Sequence, residues 1–387
     1  MEDESKIFGI KNIVKICSIF VSITFIAIIL ANYLINDEFR NKIDSKIFKK
    51  KIDENLSNII ELNSDNNPYV CAYNKYIAIF SKNILNIYNQ NALLMNTIDM
   101  NIIKPCSASN GQFLVLAENE GNKLYLISDT VVKWSKELDG QIYRVSINKN
   151  GYVVVLLKNA TYNSMVEVFN PDGNQVVKSY SRKNSVICSE ISNNNEYLAI
   201  GQIYYSGTII KSTVKLISIK EVMNNSKNSI VNTYESESSK ILNNIKFNDK
   251  NEAICMFDTY IQKLTAQTDE RLYTLTDDDI FVDINLGNNI IIVKKETSGL
   301  FSYKYQMDIK NTIRKTNKIY ILDNELPKRI DIFSKFVCIK LINELKIVGD
   351  NGWLIRSYKY KNEIQNIVIG ENIIGIVYNN KVEIAEF

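Results

Sequence analysis

Residues 141–180 read QIYRVSINKNGYVVVLLKNATYNSMVEVFNPDGNQVVKSY, and the plan of the chain can be read from them. Four short runs rich in Val, Ile, Leu and Tyr (QIYRVSI, YVVVLL, MVEVF and QVVKSY) are separated by polar links. Runs of this length, bounded by Asn, Asp, Gly and Ser, are expected to be strands joined by hairpins. Asn148-Lys149-Asn150-Gly151 and Asn170-Pro171-Asp172-Gly173 are turn sequences, as is Gly349-Asp350-Asn351-Gly352 farther on. Only 14 glycines are present, so Asn, which tolerates left-handed backbone well, is expected to do much of the turning.

The same pattern recurs down the chain. It appears as YVCAY, NKYIAIF, SKNILNIY and NQNALLMNTI, again as SVICSEI, SNNNEYLAIGQIYY and STVKLISI, and last as IQNIVI, GENIIGIVY and NNKVEIAEF. Units start near Tyr69, Ile103, Ile142, Val186, Ile241, Val282, Ile330 and Ile364. A mean spacing of about 42 residues suits four-stranded propeller blades. A β-sandwich would not repeat so evenly, and a β-helix would use a shorter period. The fold class is therefore all-β, a β-propeller of eight blades, with seven as the alternative. Irregular boundaries around Met223–Ser239 and Leu300–Tyr320 blur the register. The last unit has three runs and ends at Phe387. Ser57–Asn63 (SNIIELN), standing before the first unit, is expected to supply its outer strand and so remove two open edges.

Ahead of the repeats, Ile16–Ile35 (ICSIFVSITFIAIILANYLI) carries no charge and is apolar on all sides. Its length suits a transmembrane helix, making the lipid bilayer a partner through Ile16–Ile35. A cleavable signal peptide is the competing reading. However, the run exceeds a usual signal core, and Ile29 and Leu30 before Ala31 do not make a small-x-small cleavage site. Cys17 precedes the apolar core, which argues against a lipoprotein site. Phe39, Ile43, Ile47, Ile52, Leu56 and Ile59 recur near one helical face among mixed charges, the pattern of an amphipathic stalk or of a solvated spacer. The expected organisation is a tail at 1–15, a transmembrane helix at 16–35, a stalk at 36–56 and a propeller at 57–387.

Lysines 6, 11 and 15 precede the apolar run, and Arg40, Lys42, Lys46, Lys49, Lys50 and Lys51 follow it. The positive-inside rule alone would keep the large domain in the cytoplasm. Long domains translocate largely regardless of charge, so the expected location is the cell membrane, single-pass, with the C-terminal domain outside.

Composition excludes much chemistry. The chain has no histidine, which removes Ser-His-Asp and Cys-His nucleophiles and His-bearing metal sites. A net charge of +3 without a basic face argues against nucleic acid. Cys71, Cys106, Cys188, Cys255 and Cys338 lack metal-ligand spacing, mostly sit beside apolar runs, and are expected to be free buried thiols. Phosphate loops of the GxxxxGK[ST] and GxGxxG types are absent. Thr276-Asp277-Asp278-Asp279 is the densest acidic cluster. It lacks the EF-hand pattern and reads as a solvated loop rather than a calcium site. Tyr204-Tyr205, Tyr303-Tyr305 and Tyr358-Tyr360 are either contact surface or ordinary strand composition. No catalytic, cofactor-binding or metal residue is assigned, and no cofactor is expected.

Trp134–Val155 (WSKELDGQIYRVSINKNGYVVV) resembles the Trp-bearing outer strand and following inner strand of quinoprotein-type propeller repeats. The whole plan resembles domain-of-unknown-function family 5711 of low-GC Gram-positive bacteria, which implies an outward-facing domain and no known activity. With two tryptophans the chain lacks the repeated Trp docking motif of quinoprotein dehydrogenases. It also lacks the Gly-His and Trp-Asp signatures of WD40 repeats. The expected function is a binding or scaffold module for envelope proteins or a wall ligand. The alternatives are a carboxylate-dependent glycan-active enzyme with its site in the propeller channel, and a cytoplasm-facing sensor.

Overall fold

A computed structural model describes residues 2–35, 39, 43, 58–63, 67–206, 209–224, 226, 228–285, 287–297, 303–323, 325–333, 335–360, 362–371 and 373–386. Their strands form eight antiparallel sheets of four strands each. The inner strands are Tyr69–Tyr73, Pro105–Asn110, Gln141–Ile147, Ser185–Ile191, Leu242–Phe247, Asp279–Asp283, Arg329–Phe333 and Asn366–Ile369. Each predicted unit start falls in or just beside one of them. The fold is an eight-bladed β-propeller.

The ring closes as the sequence suggested. Blade 8 takes Asn366–Ile369, Ile373–Val377 and Lys381–Glu386 from the end of the chain and Asn58–Glu61 from its start. Asn58 pairs with Ile384 and Glu61 with Lys381. This closure decides eight blades over seven.

Second strands are buried on both faces, because each blade is sandwiched between its neighbours. Phe113–Glu118 and Val153–Leu157 have no exposed residue. Outer strands such as Leu94–Asp99 and Val131–Glu137 alternate between exposed and half-buried positions. This explains why VVVLL reads as a continuous apolar run while the fourth run of each unit is mixed. The core lies between sheets: Val154, Leu156, Val166 and Val168 of blade 3 pack with Val186, Leu198 and Ile200 of blade 4.

Asparagine does turn many corners. The turn from first to second strand has positive φ at Asn74, Asn195 and Asn251 in blades 1, 4 and 5, where blades 2, 3 and 6 use Gly111, Gly151 and Gly287. The blurred register has a structural cause. The middle strands of blade 4 (Tyr197–Ser206 and Ile209–Ser218) and blade 6 (Asn289–Thr297 and Tyr303–Asn311) are unusually long. A one-turn helix, Ile219–Met223, capped by Ser218, also interrupts blade 4.

Trp134 builds a single tryptophan dock. It leaves the outer strand of blade 2, donates its Nε1–H to the Pro171 carbonyl at 3.0 Å, and packs against Phe169 of blade 3. Gly173 makes room for it, since a Cβ there would lie 3.0 Å from Trp134 Cγ.

The N-terminal helix spans Glu2–Ile35, so the expected tail is helical from its second residue. Its Ser18–Ile35 portion is long and apolar enough to cross a membrane, and every residue of it is exposed except Tyr33, which is half-buried. Apart from Phe39 and Ile43, which are helical, the stalk expected at 36–56 lies outside the described residues.

Candidate functional site

The inner strands leave one edge facing the central channel, and unpaired edge carbonyls need partners. Side chains of neighbouring blades supply them. Ser109 Oγ donates to Ala72 O at 3.1 Å, Tyr143 Oη to Val186 O at 2.7 Å, and Ser146 Oγ to Ser189 O at 2.9 Å. Asn148 Nδ2 donates to Ser192 O at 2.9 Å, while its Oδ1 accepts from Asn150 and Tyr152 within its own turn. The polar residues of these runs thus stitch blade to blade.

Within the channel lies a cavity of about 540 Å³, lined by inner strands and first turns of blades 2 to 7 and by Glu371 of blade 8. Its wall on blades 3 to 6 is charged and hydrogen-bonded. Arg144 donates to Ile187 O at 3.1 Å and to Asn244 Oδ1 at 2.8 Å. Asn244 reaches Asn285 at 3.1 Å, and Asn285 Nδ2 donates to Asp283 at 3.0 Å. Lys246 pairs with Glu190 at 2.5 Å. Burial pushes the Asp283 carboxyl above its usual range, against the Asn285 amide and the Lys246 charge. Ile332 and Phe333 form an apolar portion of the wall on blade 7. A β-bulge after the first residues of the inner strand recurs in blades 3 to 6, and its extra residue re-aims the side chains that follow.

No motif in the sequence marks these channel residues. The available signal was a charge inside an apolar inner-strand run: Arg144 in QIYRVSI, Glu190 in SVICSEI and Lys246 in LNNIKF. The channel is not packed with Ile, Val and Cys. Two of its carboxylates are engaged, Glu190 by Lys246 and Asp249 by Asn288.

The three tyrosine stretches separate. Tyr358 and Tyr360 are buried between blades 7 and 8, where Tyr358 Oη donates to Glu383 at 2.6 Å and Tyr360 Oη to the Leu341 carbonyl at 2.5 Å. Tyr205 is 71% exposed and Tyr303 44% exposed. Both stand on the overlong hairpins of blades 4 and 6, beyond the ladder of the adjoining inner strand, which ends at Ile203 and Lys294. The Lys295 ammonium lies over the Tyr303 ring, 3.6 Å from its centroid.

In the acidic cluster, Asp279 is turned back on its own loop. It accepts from Tyr273 Oη and from the backbone and hydroxyl of Thr276, while Asp277 and Asp278 are exposed. Among the described residues, no group of His, Cys, Asp and Glu could hold a metal ion. The five propeller cysteines are free, and all but Cys106 are buried.

Two solved propellers match nearly the whole fold at low identity. BamB from Moraxella catarrhalis shares 11% identity with a TM-score of 0.52, covering 86% of this chain and 99% of BamB. The C-terminal WD40 domain of Sif2 shares 11% identity with a TM-score of 0.56, covering 87% of this chain and 99% of that domain. These likenesses concern the fold. No curated protein matches the sequence. A family model described as a family of unknown function, DUF5711, matches residues 47–387, and the chain belongs to that family.

Proposed function

We propose that the protein is a membrane-anchored, extracytoplasmic binding module that holds another envelope protein against a rigid propeller face. The observation that carries this reading is the pair of overlong hairpins in blades 4 and 6. They bring Tyr205 and Ile209, and Tyr303, to exposed positions on one face. Tyrosine offers apolar area and a hydrogen-bonding tip at low entropic cost, and interfaces concentrate their energy on such residues. The propeller architecture shared with BamB and the Sif2 domain supports a scaffold role.

The test is photo-crosslinking in intact cells, with benzoylphenylalanine replacing Tyr205 or Tyr303. The same envelope protein should be trapped from both positions. Ile230, exposed where the outer strand of blade 4 begins on the opposite face, is the control and should trap nothing. Adducts at Ile230 equal to those at the hairpins would defeat the reading.

One observation favours the glycan-active alternative: the half-buried carboxyl of Asp283, hydrogen-bonded to Asn285 on the cavity wall. Wall-glycan hydrolysis by the native chain, abolished in Asp283→Asn, would establish it.

A further inference from the structure

The path of the chain distinguishes the two faces of the propeller. The first and third turns of each blade open on one face; the second turns and the links between blades open on the other. The closing strand begins on the first of these. Asn58 Nδ2 donates to Gln90 O in the third turn of blade 1 at 3.0 Å, while Leu62, past the strand's other end, bonds Asn380 in the second turn of blade 8. The chain therefore arrives from the apolar helix at the face of first and third turns. Tyr33, in the last turns of that helix, meets Trp353 edge-on with ring centroids 6.0 Å apart. Trp353 directly follows the third turn of blade 7.

Exposed apolar residues gather around this entry point. Leu93 and Leu94 in the third turn and outer strand of blade 1 are 60% and 54% exposed, and Val131 at the same place in blade 2 is 51% exposed. Blades 7, 8, 1 and 2 are consecutive around the ring, so Trp353, Leu93, Leu94 and Val131 form an arc flanking the tether. The third turns across the ring are mostly polar: Asn170–Asn174 in blade 3, Thr265–Thr268 in blade 5, and Thr312–Thr316 with Arg314 and Lys315 in blade 6. Met223 and Ile230 of blade 4 are also exposed and lie outside the arc.

We propose that this arc rests on the surface of the lipid bilayer that holds the N-terminal helix. The inference rests on the membrane-anchor reading above. Tyr and Trp, with an apolar body and a polar tip, are the side chains of the bilayer interface, and Tyr33 and Trp353 meet at the end of the apolar span. The cavity mouth, formed by first turns at Gly111, Lys149, Asp249 and Glu371, then faces the membrane. The hairpins carrying Tyr205 and Tyr303 point away from it, toward a partner in the aqueous space.

The two tryptophans make this measurable, because neither lies in the apolar helix. The full chain is reconstituted into phosphatidylcholine vesicles with acyl chains brominated near the headgroups, and into unbrominated vesicles as reference. Flotation after an alkaline wash reports the anchor independently. The expected result is flotation together with loss of about half the tryptophan emission in brominated vesicles. The quenching should persist in Trp134→Phe, where Trp353 is the sole reporter. It should vanish in Trp353→Phe, where only Trp134, docked on blade 3, remains. Vesicles that float with Trp353 unquenched would overturn the docking arc and leave the anchor standing. Failure to float would overturn the anchor and the arc with it.

Discussion

Replacing Ile60 with Ala tests how the ring is held shut. Ile60 sits in the closing strand, 6% exposed, packed with Val70, Ile77, Val368, Val382 and Ile384. The substitution removes three carbons, about 2.4 kcal/mol at roughly 0.8 kcal/mol each. An unfilled cavity raises the expected loss to about 3 kcal/mol. The strands it joins lie roughly 320 residues apart, so closing the ring costs about 5 kcal/mol of chain entropy. Losing 3 kcal/mol from the contacts that offset this should loosen blade 8 first. The assay is urea unfolding of the full chain in detergent, followed by tryptophan emission, with amide exchange read over Lys381–Glu386. Ile59, next along the strand and 39% exposed, is the control and should cost less than about 1 kcal/mol. Unfolding free energies for Ile59→Ala and Ile60→Ala that agree within about 0.5 kcal/mol would refute the reasoning.

Gly173→Ala should cost about 2 kcal/mol, from left-handed backbone (φ +83°) and pressure on Trp134, and should shift the Trp134 emission maximum on a fluorescence scan. For Glu383, burial opposes the charge, yet Lys381 and the Tyr358 and Tyr378 hydroxyls outweigh it and hold the carboxyl below its ordinary value. A depressed folded pKa contributes stability that is present above the unfolded value, about 4.3 for Glu, and is lost as pH falls through the folded one. Thermal unfolding of Glu383→Gln should accordingly show a flatter acid limb than the native chain. Burial pushes the Cys71 and Cys188 thiols up to about 12 and Cys106 to about 11, so iodoacetamide at pH 8 should label them after unfolding and not before, as read by mass spectrometry.

The fold was legible because its repeat is written twice, in period and in alternation. VVVLL must be buried on both faces, and the mixed QVVKSY on one, and only a sheet stacked between sheets asks for that order. The blade count depended on SNIIELN, whose partner lies at the opposite end of the chain. Its sequence could propose closure, and pairing with Lys381–Glu386 was needed to establish it. The stretches that blurred the register contain a helical insertion in blade 4 and overlong strands in blade 6, features that add residues without changing the repeat. The channel was not legible. Arg144, Glu190, Asn244 and Lys246 come from three blades, and their meeting depends on bulges that sequence periodicity does not reveal. The tyrosines show the same limit. Tyr303 and Tyr358 have similar surroundings in sequence, yet one caps an exposed hairpin and the other bonds a buried Glu383.

The proposed function requires that the N-terminal helix hold the propeller outside the cell. The most direct test is protease treatment of intact cells expressing the full chain with a C-terminal epitope, with lysed cells as control. The epitope should be lost from intact cells. An epitope protected until lysis would place the propeller in the cytoplasm, make Arg40–Lys51 the retained positive flank, and contradict the claim.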